Sequence, residues 1–165
     1  MFEFMFDMDG VLCDWQSSFE RCVPHVAYSD YPLLSKEERK EIKTLIANHP
    51  DFYERMGVLE HACDVLDWLV ENGYKVSILS ACGKINSLSI ALQKSLWLAD
   101  NILCPGKVDR KFVYTSKDKA QFAHENVVLI DDRLKAIEPF AEAGGKVVHY
   151  EHGVTNLMEV LKPYL

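Results

Sequence analysis

The chain has 165 residues, 48% of them hydrophobic and 26% charged, enough for one globular domain with a real core, or a core with a small insertion. The net charge of -7 argues against an extended nucleic-acid or acidic-membrane surface, but is compatible with a small anionic substrate. No apolar run approaches the roughly 20 residues of a transmembrane helix, and we expect no signal peptide. The five cysteines, never spaced Cys-x-x-Cys, predict reduced thiols in a cytoplasmic protein.

The first predicted element is a buried strand over residues 4–6 that runs directly into Asp7, Asp9 and Gly10. Residues i and i+2 of an extended backbone point the same way, so Asp7 and Asp9 are expected to face one site together. Two carboxylates at that separation repel each other unless a cation lies between them or one of them holds a proton.

The next stretch, residues 15–52, predicts helices and no strand. Residues 14–26 favour a helix with one apolar face, and Pro24 and Pro32 then break the pattern. Ser35 and Glu38 form a capping box that opens a second helix, which ends before Pro50. We predict that its inward side chains are Ile42, Leu45 and Ile46. Residues 15–52 are therefore expected to be an insertion into a core made of residues 1–14 and 53–165.

From residue 57 onward, helices and strands alternate. The predicted helices cover residues 58–69, 85–98, 117–124 and 134–143, followed by a short C-terminal helix capped by Thr155. The predicted strands cover residues 74–80, 102–104, 127–130 and 146–149, while 107–116 stay unassigned. In the helix predicted at 85–98, we expect the inward-facing side chains to be Ile85, Leu88, Leu92 and Leu96. Such alternation predicts an α/β fold in which a parallel sheet is covered by helices on both faces.

Three predicted strand ends carry unusual polar residues, namely Asp7 with Asp9, Ser80, and Asp131 with Asp132. In an open parallel sheet the carboxyl ends of the strands form the crevice in which ligands bind. These positions suggest a carboxylate nucleophile, a second acid, a hydroxyl group and a metal-binding carboxylate pair. A lysine would complete such a set for a phosphorylated substrate.

These residues resemble the motifs of the haloacid dehalogenase (HAD) superfamily of phosphohydrolases, in the superfamily's order. The segment Asp7-Met8-Asp9-Gly10-Val11-Leu12 resembles its first motif, Ser80 its second, and Asp131-Asp132 after an apolar run its fourth. Lys119 and Lys117 compete for the third motif, and the pair Asp118-Lys119 favours Lys119. The sequence around the first and fourth motifs is most similar to that of the 5′(3′)-deoxyribonucleotidase, or 5′-nucleotidase, branch.

The resemblance implies a Rossmann-like three-layer α/β/α fold, with a small helical cap inserted after the first strand. It also implies that Asp7 attacks phosphorus to form an aspartyl-phosphate. Asp9 would give a proton to the leaving oxygen and then activate the water that cleaves the intermediate. The expected cofactor is Mg²⁺, held by Asp7, the backbone carbonyl of Asp9 and Asp131. Asp132 would bind the ion directly or through water.

Substrate contacts are expected from Ser80, from the backbone at Ala81, and from Lys119 as a point charge on the phosphoryl group. Aromatic side chains of the insertion are the candidates for stacking on a nucleobase, with Trp15 and Phe52 as substrate-binding residues. The alternative is that these aromatics form the cap's own small core. The full set is Trp15, Phe19, Phe52 and Tyr53.

The predicted function is therefore a Mg²⁺-dependent phosphomonoesterase acting on (deoxy)nucleoside 5′-monophosphates. Its partners are limited to a small phosphorylated substrate, without a membrane or an extended nucleic-acid surface. One alternative keeps the mechanism but changes the substrate to a 3′-phosphate on a nucleic-acid end, or to a sugar or cofactor phosphate. A second alternative is an enzyme that transfers the phosphoryl group to another alcohol instead of to water. A third is a non-catalytic protein that binds phosphate.

Overall fold

The computed structural model describes residues 1–165 and contains a five-stranded parallel sheet at its centre. Its strands are β1 (Glu3–Phe6), β4 (Lys75–Ala81), β5 (Asp109–Val113), β6 (Val127–Asp131) and β7 (Lys146–His149). They lie in the order β5-β4-β1-β6-β7, so that β1, buried at all four residues, is central. Phe6 is in register with Ile78 of β4 and Ile130 of β6, which brings three strand ends side by side.

Helices cover both faces of the sheet and confirm the predicted α/β/α class. They are α1 (Trp15–Cys22), α2 (Lys36–Ala47), α3 (Glu60–Glu71), α4 (Ser87–Asn101), α5 (Leu134–Glu142) and α6 (Leu157–Leu161). A short antiparallel pair, β2 (Cys13–Asp14) and β3 (Gly57–Val58), joins the two ends of the segment that carries α1 and α2. No helix is both long enough and apolar enough to cross a bilayer.

The two faces of the sheet carry separate apolar clusters, because successive side chains of each strand alternate in direction. Phe4 and Phe6 of β1 pack with α3, α6 and the C-terminal half of α4. Met5 of β1 packs on the opposite face with α5 and with the 3-10 helix Ser116–Phe122. The apolar strands predicted at residues 4–6, 74–80 and 127–130 thus form the middle of the sheet.

Three of the sequence predictions after residue 101 differ from the structure. Residues 102–104 form no strand, and the fifth strand is β5, inside the stretch left unassigned. β5 is an edge strand whose Asp109 and Arg110 are exposed, so it has no apolar pattern. The helix expected at 117–124 is the 3-10 helix Ser116–Phe122, and the last helix is capped by Asn156 instead of Thr155.

The predicted inward face of α4 is also wrong. Ile85, Leu88, Leu92 and Leu96 are all exposed, Leu88 by 87%. The helix instead buries Ile90, Gln93, Lys94, Trp97 and Leu98. The Trp97 indole N–H donates to the Met56 carbonyl at 2.8 Å, and the Gln93 amide group bonds the backbone at His49 and Tyr53. These long-range hydrogen bonds satisfy the polar groups of the buried face, and helical periodicity does not reveal them.

The segment from α1 to α2 has a small apolar cluster of its own, built on Phe19, Val23, Ile42, Ile46 and Phe52. The predicted capping box opens α2: the Glu38 amide donates to the Ser35 hydroxyl at 3.1 Å, and the Ser35 amide donates to the Glu38 carboxylate at 2.8 Å. Leu45, expected to face inward, is 41% exposed. The cluster therefore combines side chains of α1 and its C-cap, side chains of α2 and the single residue Phe52.

Candidate active site

The carboxyl end of β1 places the first two aspartates beside the neighbouring strand β6. The Asp7 amide donates to the Ile130 carbonyl at 2.9 Å, which continues the ladder by one residue. The chain then turns at Gly10, where φ is +81°, and the Met8 carbonyl accepts from the amides of Leu12 and Cys13. A Cβ on Gly10 would lie 2.3 Å from Oδ2 of Asp132, so the turn needs glycine for both its backbone and its space.

Lys119 lies between two of the predicted carboxylates. Its ammonium group is 2.9 Å from Oδ1 of Asp7 and 2.6 Å from Oδ2 of Asp131, and all three side chains are buried. The 3-10 helix that carries it begins after Thr115, whose amide donates to the Asp118 carboxylate at 2.9 Å. Lys117 is exposed, so the structure places Lys119, and not Lys117, among the carboxylates.

Asp131 and Asp132 at the end of β6 are held in a poorly solvated position. Oδ1 of Asp131 accepts from the Arg133 amide at 2.9 Å, whereas Oδ1 of Asp132 is buried without a hydrogen-bond partner. Burial, followed by the charge of Asp7, raises the pKa of Asp131 to about 6 and that of Asp132 to about 7. Asp131 therefore has the Lys119 ammonium as its only cationic partner, whereas Asp132 lacks a compensating positive charge.

Lys94 of α4 is the one residue of the site that the sequence interpretation missed. Its fully buried ammonium group donates to Oδ2 of Asp9 at 3.0 Å, to the Ser80 hydroxyl at 2.7 Å and to the Ala81 carbonyl at 3.0 Å. Burial is the largest single influence and works to lower the pKa of Lys94, but the charge of Asp9 together with the other acidic neighbours outweighs it, so that the pKa is raised. Lys94 therefore stays charged and links the ends of β1 and β4.

Asp9 has one oxygen on Lys94 and one buried oxygen, Oδ1, with no partner. Burial raises the pKa of Asp9, the charge of Lys94 opposes this, and the charge of Asp7 adds to it, so that the pKa is raised overall. A carboxyl group with a raised pKa holds its proton more readily at neutral pH than an exposed one does. Its protonated form could donate a hydrogen bond to a ligand oxygen.

A divalent cation fits the arrangement of the acidic side chains. Carboxylate oxygens of Asp7, Asp131 and Asp132 lie within 4.8 Å of one another, and an unpartnered oxygen of Asp132 is among the available donors. Four carboxylates face only two lysines, so two negative charges are uncompensated when all four carboxyl groups are ionised. All the donors are hard oxygens, which Mg²⁺ prefers to softer ligands.

The second predicted motif lies at the end of β4. Ser80 is fully buried, and its hydroxyl accepts from Lys94. The amides that follow Ala81 are occupied within the fold, because Cys82 donates to the Val113 carbonyl and Gly83 to the Tyr114 carbonyl. Burial raises the pKa of the Cys82 thiol, as it does that of Cys13, so neither is an activated thiolate.

The aromatic candidates of the inserted segment divide into two groups. Phe52 is fully buried in the α1–α2 cluster with its ring centroid 5.5 Å from that of Trp15, so the prediction that it stacks on substrate does not fit its position. Phe19 is buried in the same cluster. Trp15 and Tyr53 are only partly buried, and the Tyr53 ring centroid lies 5.0 Å from the Lys94 ammonium. Tyr53 therefore connects the insertion to the site.

No protein-family model and no curated protein matches the sequence, whereas many solved structures share its fold. A dehalogenase is 17% identical with a TM-score of 0.58, over 94% of this chain and 87% of that one. A hydrolase from Pseudomonas syringae is 18% identical with a TM-score of 0.54, over the full length of both chains. A HAD-family enzyme from Bacteroides thetaiotaomicron, solved with magnesium and inorganic phosphate, is 14% identical with a TM-score of 0.52, over 94% and 96%. The chain thus has the fold of the HAD-type hydrolases.

Proposed function

We propose that this protein is a Mg²⁺-dependent phosphomonoesterase of the HAD type that uses Asp7 as its nucleophile. The observation that carries the proposal is the position of Asp7, which Lys119 holds by one oxygen next to the unpaired Asp132. An ionised carboxylate needs no base to attack, and a fixed rotamer keeps its second oxygen directed at an incoming phosphoryl group.

In the first step, an oxygen of Asp7 forms a bond to phosphorus while the bond from phosphorus to the substrate's ester oxygen breaks. Asp9 gives its proton to that leaving oxygen, which departs as an alcohol. In the second step, Asp9 takes a proton from water, whose oxygen attacks phosphorus and releases Asp7 and inorganic phosphate. Bound Mg²⁺ supplies positive charge that reduces the repulsion between the nucleophile and the phosphate.

Two features favour a phosphate ester over the carbon–halogen bond that a dehalogenase breaks. A halide leaves as a stable anion without a proton, whereas an alkoxide needs one, and Asp9 with its raised pKa is placed to supply it. The group formed by Asp7, Asp131 and Asp132 also suits a hard cation and, through it, a phosphoryl oxygen. The magnesium and phosphate bound by the Bacteroides enzyme of the same fold agree with this choice.

We assign residues 15–52 to a cap and residues 1–14 and 53–165 to the catalytic core. Two observations support a cap that borders the site. The Asn86 side-chain amide donates to the Ala47 carbonyl of the cap at 3.3 Å, and Tyr53, which directly follows the cap, has its ring centroid 5.0 Å from the Lys94 ammonium. A cap in this place excludes water and contacts the leaving group.

For the substrate we propose (deoxy)nucleoside 5′-monophosphates, with the partly exposed ring of Trp15 as the surface for the base. Ser80 and Lys119 remain the proposed phosphate ligands, and Lys94 orients Ser80. The net charge of -7 disfavours a long nucleic acid, so a 3′-phosphate on an oligonucleotide end is the weaker candidate.

A phosphate-release screen with and without Mg²⁺ tests the proposal. The substrates are deoxynucleoside and ribonucleoside 5′-monophosphates, 3′-phosphorylated oligonucleotides and sugar phosphates. We expect Mg²⁺-dependent release, fastest from the mononucleotides. Faster release from oligonucleotides or sugar phosphates would overturn the substrate assignment and leave the mechanism intact. Binding of Mg²⁺ without release from any substrate would instead indicate a non-catalytic phosphate-binding protein.

A further inference from the structure

We infer that a second copy of this chain docks on the exposed face of α4, through an antiparallel pairing of the two α4 helices. The central feature is a row of three leucines, which we call the α4 stripe: Leu88, Leu92 and Leu96. Their exposed fractions are 87%, 60% and 41%. They lie on one face because residues four apart are neighbours on a helix.

The surface around the stripe carries no charge. Between Lys84 and Asp100 the only charged residue is Lys94, which is fully buried on the opposite face of the helix. The outer surface of α2 shows what a solvated helix of this protein looks like, since Lys36, Glu37, Arg39 and Lys40 are all exposed there. A charge-free apolar helix face on a chain of net charge -7 is typical of a contact surface.

The occupant follows from the symmetry of the sequence about Leu92. Leu88 and Leu96 lie four residues to either side of it, and Ser89 and Ser95 lie three residues to either side. A two-fold axis through Leu92 would place Leu88 of one copy against Leu96 of the other, and the reverse pair would form at the same time. Such self-complementarity is what a two-fold interface between identical chains requires.

The charges at the two ends of the stripe are complementary under the same symmetry. Lys84, three residues before α4 begins at Ser87, and Asp100, in the last turn of α4, are both exposed, and an antiparallel pair sets the first end of one helix beside the last end of the other. The antiparallel pair would therefore bring Lys84 of each copy towards Asp100 of the other. A parallel pair would place like charges together and gain neither contact.

A cleft beside the stripe adds surface to the interface. It has a volume of about 440 Å³ and is lined by Leu88, Ala91, Phe112 and Tyr114 among others. It opens next to Leu88, where the antiparallel pair would place Leu96 of the second copy. The exposed ring of Tyr114, at the end of the edge strand β5, widens the contact beyond the two helices.

Sedimentation velocity over a range from low micromolar to near-millimolar chain tests the pairing. We expect a concentration-dependent dimer for the unmodified protein. Leu92→Glu, which would place two carboxylates at the axis, should raise the dimer dissociation constant by about tenfold or more. The matched control is Leu33→Glu, since Leu33 is 82% exposed but lies outside the stripe, and it should leave the dimer unchanged.

A charge exchange tests the orientation of the two helices. Lys84→Glu and Asp100→Lys should each weaken the dimer, and the double variant should restore it, because only the antiparallel arrangement brings the two positions together. Leu92→Cys should also give a disulfide-linked dimer under copper–phenanthroline, whereas the unmodified chain with its five native cysteines should not. These three variants change exposed residues, so circular dichroism should show an unchanged fold.

A protein that stays monomeric at every concentration would overturn the inference and leave the stripe to another partner. A dimer that is insensitive to Leu92→Glu, or that both single charge variants leave unchanged, would also overturn it by showing that another surface is used. None of these outcomes depends on phosphatase activity, so the pairing and the proposed function can fail separately.

Discussion

Lys94 shows how a buried cation can organise an acidic site without touching the expected nucleophile. It binds Asp9, Ser80 and the Ala81 carbonyl, whereas Lys119 binds Asp7 and Asp131. The two lysines therefore divide the site between them. Lys119 holds the proposed nucleophile Asp7, and Lys94 holds the proposed acid Asp9.

We predict that Lys94→Met lowers kcat by about 10²-fold or more with a smaller change in KM, because Asp9 and Ser80 lose their common donor. The charge of Lys94 lowers the pKa of Asp9, so its removal should also move the alkaline limb of the kcat profile to higher pH. Steady-state kinetics across pH would measure both effects.

The control is Lys111→Met, at the opposite end of the sheet, where Lys111 is paired with Glu3 at 3.2 Å. It removes a comparable lysine and should lower stability while kcat stays near its original value. Equal losses of activity in the two variants would argue that Lys94 is only a structural residue.

Asp131 and Asp132 predict an unusual dependence of stability on pH. Their pKa values are raised by burial to about 6 and about 7, so the folded protein holds protons that the unfolded chain releases. Without Mg²⁺, their contribution to stability is present at low pH and is lost as the pH rises through 6 and 7. The thermal midpoint at pH 8 should therefore be lower than at pH 6, and Mg²⁺ should raise it.

Asp132→Asn removes one of the uncompensated charges and should raise the Mg²⁺-free midpoint at pH 8. For a chain of this size, a change of about 1 kcal/mol in the free energy of unfolding shifts the thermal midpoint by roughly 2–4 °C. The same variant should lose much of the stabilisation by Mg²⁺. A lower midpoint for the variant at pH 8 would contradict the assignment of Asp132 as a strained, unpaired carboxylate.

At the scale of elements, the site depends on a turn as much as on side chains. Gly10 and Gly73 have nearly the same φ, +81° and +82°, but only at Gly10 would a Cβ meet another group, the Asp132 carboxylate. Gly73 follows the end of α3 and has nothing within 4 Å. Comparing alanine substitutions at Gly10 and Gly73 therefore separates the effect of backbone strain from the effect of displacing the proposed metal ligand Asp132.

We expect both Gly10→Ala and Gly73→Ala to lower the free energy of unfolding by roughly 1–2 kcal/mol, since both force alanine into a left-handed conformation. Only Gly10→Ala should also weaken Mg²⁺ binding, because its methyl group displaces Asp132. Calorimetric titration with Mg²⁺ would distinguish them. Equal Mg²⁺ affinity in the two variants would show that Mg²⁺ binding does not depend on the present position of Asp132.

The elements also show what the sequence can predict. The strands β1, β4 and β6 were predictable because they are buried on both faces, and the polar residues at their ends then had only one edge of the sheet to occupy. β5 was not predictable, since an exposed edge strand tolerates charges. α4 has apolar residues on two faces, so periodicity alone could not identify the buried face that carries Lys94.

One pattern could have revealed Lys94. Ile90, Trp97 and Leu98 lie three or four residues from it and mark a second apolar face. A lysine within such a face needs an acidic partner. The Asp9 side chain had no positively charged partner in the sequence interpretation and was therefore available. The distances from Lys94 to Asp9 and Ser80 depend on how α4 packs on the sheet, which is a property of the tertiary structure.

At the scale of the whole molecule, one helix connects the proposed chemistry to the proposed pairing. The inner face of α4 positions Asp9 and Ser80 through Lys94, and its outer face carries the α4 stripe. The acidic net charge and the small insertion next to the site both favour a small phosphorylated substrate over a polymer. The proposed roles of Lys119, Asp9 and the metal-binding aspartates all depend on Asp7 being the group that receives the phosphoryl group.

The most direct test compares Mg²⁺-dependent phosphate release from deoxynucleoside 5′-monophosphates by the unmodified protein and by Asp7→Asn. The substitution keeps the size of the side chain and removes its charge, so the thermal midpoint should stay close to that of the unmodified protein. We predict steady release by the unmodified protein and no turnover above background by the variant. Full activity in a folded Asp7→Asn protein would contradict the central claim.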